Sequence, residues 1–183
     1  MIDLTPACDT MIDLLGRITA EQLQLPTPCT EYTVRDVIEH IDVVAVGSSA
    51  TARGDELSGS GSPAAAGAED DWLDRVAKHV WEVGEAWRDP AAWRGSTAAA
   101  GVQLSNELWA MITLTELVVH GWDLTTATGR PYELAEPTLR ACYEHVAEFV
   151  PNAPVAGLWG PPARVPGDAP LLDRLVAITG RTP

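Results

Sequence analysis

Apolar residues recur along most of this chain at three- and four-residue intervals, the spacing of one face of an α-helix. After Thr5 and Pro6, which suit a helix start, Cys8, Met11, Ile12, Leu15 and Ile18 keep that spacing. Thr19 and Gln22 have the positions of a capping box, flanked by Ile18 and Leu23 as a hydrophobic staple. They predict a short helix that ends before Pro26. Thr33 and Asp36 cap the next helix, whose inward stripe is Val34, Val37, Ile38, Ile41, Val44 and Ala45. A third helix opens at Asp70 or Asp71, carries Trp72, Leu73, Val76, Val80, Val83 and Trp87, and ends at Asp89 and Pro90. A fourth, long helix starts at Ser105–Glu107 and stops before Gly129. A fifth starts at Glu136 and Pro137, with Leu139, Cys142, Val146 and Phe149 inward, and a last turn or two spans 171–178. No segment shows the two-residue alternation of a strand, and residues 95–101 read as irregular.

The pattern predicts an all-α fold: a single domain over residues 1–183, built as a four-helix bundle with extra short helices. Residues 54–68, G-D-E-L-S-G-S-G-S-P-A-A-A-G-A, read as a flexible linker. About 15 extended residues reach roughly 50 Å, and a 20-residue helix is about 30 Å long. The linker is therefore long enough to cross the bundle, which lets the helices on either side lie parallel.

Composition narrows the partners. The net charge of −14 repels phosphate backbones and anionic lipid, so neither nucleic acid nor a membrane surface is expected. The longest apolar runs fall well short of the ~20 residues of a membrane span, and the N-terminus lacks the pattern of a signal peptide. The three cysteines, Cys8, Cys29 and Cys142, are odd in number and widely spaced. They predict reduced thiols and a cytoplasmic protein. Monomer and homodimer stand as alternatives for its state, between which the sequence does not decide.

Candidate chemistry lies in the fourth helix, in L-T-E-L-V-V-H-G-W-D-L from Leu114 to Leu124. Glu116 and His120 are four residues apart and share one helix face inside an apolar run. A buried carboxylate needs a partner. His120 is one, and a metal ion held by both is another. Of the remaining histidines, His79 falls beside Lys78 and Glu82 on what reads as the wet face, and His145 near a stripe edge. His40 lies on the apolar stripe of the second helix and is the best third ligand. Two imidazoles and a carboxylate suit Zn²⁺, Ni²⁺ or Fe²⁺, with positions left for water or substrate. The plainer alternatives are a hydrogen-bonded core histidine and a helical ion pair. Cys29 is a candidate fourth ligand or a packed thiol. H-E-x-x-H, G-x-G-x-x-G, P-loop and G-x-S-x-G patterns do not occur.

Three stretches, P-T-P-C-T-E-Y-T-V-R-D-V-I-E-H (26–40), T-E-L-V-V-H-G-W-D-L (115–124) followed by A-T-G, and A-P-L-L-D-R-L-V-A-I-T-G-R-T-P (169–183), resemble the DinB-like metal-binding proteins of actinobacteria. Within these, the chain is similar to the group related to the N-terminal domain of mycothiol-dependent maleylpyruvate isomerase. The resemblance implies a four-helix bundle with a divalent metal, zinc in the first instance, on His40, Glu116 and His120. It also implies mycothiol as a co-substrate, beside a small-molecule substrate, in S-transfer or isomerisation. Asp123 and Trp122 match positions of the family. Asp123 is placed to orient His120, to cap the helix end or to form a structural salt bridge, and Trp122 reads as core rather than as a shelf for substrate. The isomerase has a further C-terminal domain for which this chain has no room, so isomerase activity itself is not carried over. Metal-dependent hydrolysis and non-catalytic metal binding remain as alternatives.

Overall fold

A computed structural model describes residues 1–55, 71–99, 101–153 and 159–183. The predicted linker at 54–68 lies, apart from Gly54 and Asp55, outside the described residues. The fold is mostly helical. Its long elements are α1 (Thr5–Leu15), α2 (Val34–Arg53), α3 (Trp72–Trp87), α4 (Asn106–Thr128), α5 (Glu136–Phe149) and α6 (Leu171–Ile178). A 3-10 helix, Ala20–Gln24, follows α1, and another, Val150–Asn152, follows α5.

The caps form where the side chains allow them. Thr19 and Gln22 make a reciprocal capping box, as do Thr33 and Asp36. Ser105 accepts from the Leu108 amide at the start of α4. Gly54 and Gly129 end α2 and α4 with φ of 73° and 66°, a left-handed conformation that glycine adopts without a Cβ penalty.

Helices α1, α3, α2 and α4 pack in a closed ring, each against the next, and α5 lies on α4 with α6 against α5. Contacts fix the directions of two pairs. Arg35 lies over Trp72, Asp42 meets His79 and Ser48 accepts from Trp87. The partners ascend together, so α2 and α3 run parallel. His40 meets Glu116 while Ser48 meets Thr113, an opposite order that makes α2 and α4 antiparallel. Helix α4 is the central rod: every residue from Thr113 to Thr125 is buried. A helix enclosed on all sides has little contrast between faces, which is why polar side chains on it must find partners inside the protein.

Two expectations are corrected. Residues 96–105 contain an antiparallel hairpin, β1 (Ser96–Ala99) and β2 (Val102–Ser105). β1, S-T-A-A, is made of small residues, and β2, V-Q-L-S, alternates apolar and polar positions over only four residues, too short a run to stand out. Asn106 anchors it instead, donating to the carbonyls of Ala92 and Arg94 and accepting from Thr97. His79 is the second correction. It turns from the wet face toward α2, where its Nδ1 lies 2.6 Å from the Oδ1 of the buried Asp42. No helix among the described residues is long and apolar enough to cross a membrane.

Candidate metal centre

Three side chains from two antiparallel helices converge between α2 and α4. His40 Nε2 lies 2.9 Å from Glu116 Oε2, and His120 Nε2 lies 3.1 Å from the same oxygen. The two imidazoles meet edge to face, with ring centres 4.9 Å apart. One donor atom from each of the three residues lies within 4.8 Å of the other two, and this is the only such group of His, Cys, Asp or Glu among the described residues. Glu116 and His120 are 8% and 5% exposed, whereas a third of the His40 side chain is open. The group therefore has a closed side, made by α4, and an accessible side, at His40.

The N-terminal end of α2 shapes that accessible side. In the turn before it, Thr27 donates its amide and hydroxyl to the Tyr32 carbonyl, and Tyr32 donates to the Cys29 carbonyl at 2.7 Å. This knot sets the Tyr32 ring 6.2 Å from that of His40. A shallow cavity of about 370 Å³ runs past His40 and is lined by Glu31, Tyr32, Asp36, Glu39, His40 and Val43.

Behind the group lies a chain of charges. His120 Nδ1 is 2.9 Å from Asp123 Oδ2. Asp123 has no exposed surface. It accepts from Arg181 Nη2 at 2.8 Å and from Arg181 Nε at 3.2 Å. Arg181 also donates from Nη1 to the Thr179 carbonyl. Of the readings of Asp123, the orienting contact to His120 and the salt bridge to Arg181 are both present in one carboxylate. A His whose Nδ1–H is held by a carboxylate has its tautomer fixed, with Nε2 facing the opposite way.

Burial and pairing compete at these residues. Burial alone would raise the Glu116 carboxyl, but hydrogen bonds to His120 and His40 outweigh it and hold the group well below the usual carboxylate range. Burial alone would likewise lower His120, but hydrogen bonds to Asp123 and Glu116 raise it to about 9. Glu116 and His120 are thus polarised as a carboxylate–imidazolium pair, with His40 against the same carboxylate oxygen. A divalent ion bound to two imidazoles and a carboxylate replaces the same attraction. Zinc ligands at about 2.1 Å in a tetrahedral arrangement stand roughly 3.4 Å apart. The observed 2.9 and 3.1 Å separations are within a few tenths of an ångström of that. The donor set fits a metal.

Other residues singled out by sequence sit elsewhere. Cys29 is a half-buried free thiol outside the donor group, raised by burial. Trp122 is buried in the core. His145 stacks on Phe149 at 5.0 Å and lies on α5. Sequence reasoning missed Arg181 as part of the site. The signal was available: Arg181 closes the T-G-R motif, and Asp123 on a buried helix requires a counter-charge.

A family profile described as "Mycothiol maleylpyruvate isomerase N-terminal domain" matches residues 4–125. That span includes His40, Glu116, His120 and Asp123 but ends before Arg181. Two uncharacterized proteins of Mycobacterium tuberculosis, from strains CDC 1551 / Oshkosh and ATCC 25618 / H37Rv, are each 32% identical over 192 residues. In both cases the similarity covers 96% of this chain and 94% of the relative. No solved structure matches the chain.

Proposed function

The chain belongs to the mycothiol maleylpyruvate isomerase N-terminal domain family, and on that premise we propose that it is a DinB-like metal protein acting with a small thiol. In this reading residues 1–183 form one domain, a four-helix bundle of α1–α4 with α2 and α3 joined by a long crossover. His40, Glu116 and His120 hold one divalent cation, zinc in the first instance. The observation that carries the reading is the convergence of two imidazoles and a carboxylate on one point, closed on one side and open on the other.

Such a cation, when bound, lowers the pKa of a thiol and makes thiolate available at neutral pH. The protein's own residues do the rest. Glu116 supplies the negative charge that anchors the ion. Asp123 keeps the Nδ1 proton on His120, so that Nε2 points to the ion. Arg181 holds Asp123 in that position. His40 and Tyr32 form the wall past which a ligand enters. Three protein ligands leave coordination positions for an exogenous group, as catalytic rather than structural zinc sites do. Mycothiol is the thiol that the family points to, and S-transfer or isomerisation of a small electrophile is the reaction class. The proposal places the protein in the cytoplasm, where a small thiol is kept reduced.

Titration calorimetry of mycothiol against zinc-loaded and metal-free protein tests the reading. Saturable binding to the loaded form alone is expected. Equal binding to both forms, or none to either, would count against a thiol-presenting metal.

A further inference from the structure

The accessible side of the donor group is rimmed by carboxylates. Glu31, Asp36 and Glu39 line the cavity that runs past His40. Asp36 is held in its charged form by hydrogen bonds from the Thr33 side chain and backbone. The arginines around the site are committed to acceptors of the chain itself. Arg35 meets Glu39 at 3.2 Å and lies 4.7 Å over the Trp72 ring. Arg181, behind His120, gives two nitrogens to Asp123 and a third to Thr179. Recognition of a carboxylate usually employs a guanidinium whose paired donors face the ligand. Both of these guanidiniums already have internal acceptors. Glu116 further offsets part of the charge of any divalent ion at the centre. The whole chain, at −14, adds a field of the same sign as the rim.

We infer that this site takes uncharged or cationic small molecules and disfavours anions, dicarboxylates such as maleylpyruvate included, with Glu31 and Glu39 setting that preference. The inference rests on the proposed metal reading and adds the charge class of the ligand to it.

Three thiols of similar size and different charge provide the probe: cysteamine, 2-mercaptoethanol and mercaptoacetate. Each is titrated into cobalt-loaded protein, and the thiolate-to-cobalt absorption band reports binding without turnover. Wild type is compared with Glu31→Gln/Glu39→Gln at equal cobalt content. The ratio of affinities between the two proteins cancels each thiol's own acidity and chelating tendency. Mercaptoacetate is expected to bind at least about threefold tighter to the variant, 2-mercaptoethanol about equally, and cysteamine more weakly. The contrast should shrink between about 0.05 M and about 0.5 M salt, because the rim carboxylates face water and are screened. Unchanged affinity of all three thiols in the variant would overturn the role of the rim. Mercaptoacetate gaining no more affinity in the variant than 2-mercaptoethanol does, at every salt concentration, would overturn the preference itself. A wild-type protein that takes up no cobalt would remove the metal reading and this inference with it.

Discussion

Gly121 lies between His120 and Trp122 in the middle of α4, where a helix ordinarily gains about 1 kcal/mol on replacing glycine by alanine. Here the opposite is expected. A Cβ at Gly121 would stand 2.4 Å from the Tyr132 hydroxyl oxygen, 2.8 Å from Cζ and 2.9 Å from Cε2. All three distances are below any real carbon contact. The ring has little freedom to yield, since it packs against the core and its hydroxyl donates to the Leu117 carbonyl at 3.4 Å. Overpacking of this kind costs about 1–3 kcal/mol, which outweighs the propensity gain. Gly121→Ala should therefore lower stability by up to about 2 kcal/mol, or up to roughly 8 °C in Tm for a chain of this size. A double-mutant cycle identifies the cause. Tyr132→Phe deletes the nearest of the clashing atoms, so the alanine should be about 1 kcal/mol less harmful in that background. Urea denaturation of the four proteins gives the numbers. If Gly121→Ala stabilises the wild type, or if its effect is the same in both backgrounds, the close approach is not what requires glycine in H-G-W-D.

Two further outcomes follow from the buried charges and from His145. Asp123→Asn should destabilise by about 3–5 kcal/mol, because it leaves the buried Arg181 guanidinium without its counter-charge, and Arg181→Met should cost less, because Asp123 still faces His120 at 2.9 Å. The double variant should recover part of that loss in denaturant titrations, and strictly additive losses would show that the pair is not coupled. His145 is held down to about 4 by burial, and its Nε2 has no hydrogen-bond partner. Its folded pKa lies below the unfolded value near 6.5, so the unfolded state binds the extra proton. There is no contribution above about pH 6.5, a penalty that grows as pH falls, and a constant penalty below about pH 4. The full shift would be worth about 3 kcal/mol for an enclosed ring, and partial exposure reduces this to about 1–2 kcal/mol. His145→Phe should remove that loss between about pH 7 and pH 4.5, and parallel stability curves for variant and wild type would refute the assignment.

The helices and their caps were legible because each has a local cause. The boxes at Thr19 and Thr33, the prolines at the starts of α1 and α5 and Gly129 after α4 act within a few residues of themselves. The hairpin at 96–105 was not, since its support comes from Asn106 and from Trp109, whose Nε1 donates to the Thr97 carbonyl. Burial logic brought Glu116 and His120 together on α4 and picked His40 from α2. The same logic misplaced His79, because the residue that turns it inward, Asp42, sits on another helix. Arg181 escaped notice for a similar reason: 58 residues separate it from Asp123. What stays hidden in sequence is which buried charges find each other across the fold. Where one member of a pair is enclosed, its counter-charge can be sought, as Glu116 led to His40.

The most direct test is metal content and affinity in purified protein. Wild type should bind one divalent cation per chain. His40→Ala, Glu116→Ala and His120→Ala should each weaken that binding by about a hundredfold or more while remaining folded. Equal cation stoichiometry and affinity in all four proteins would contradict a centre built from these three side chains.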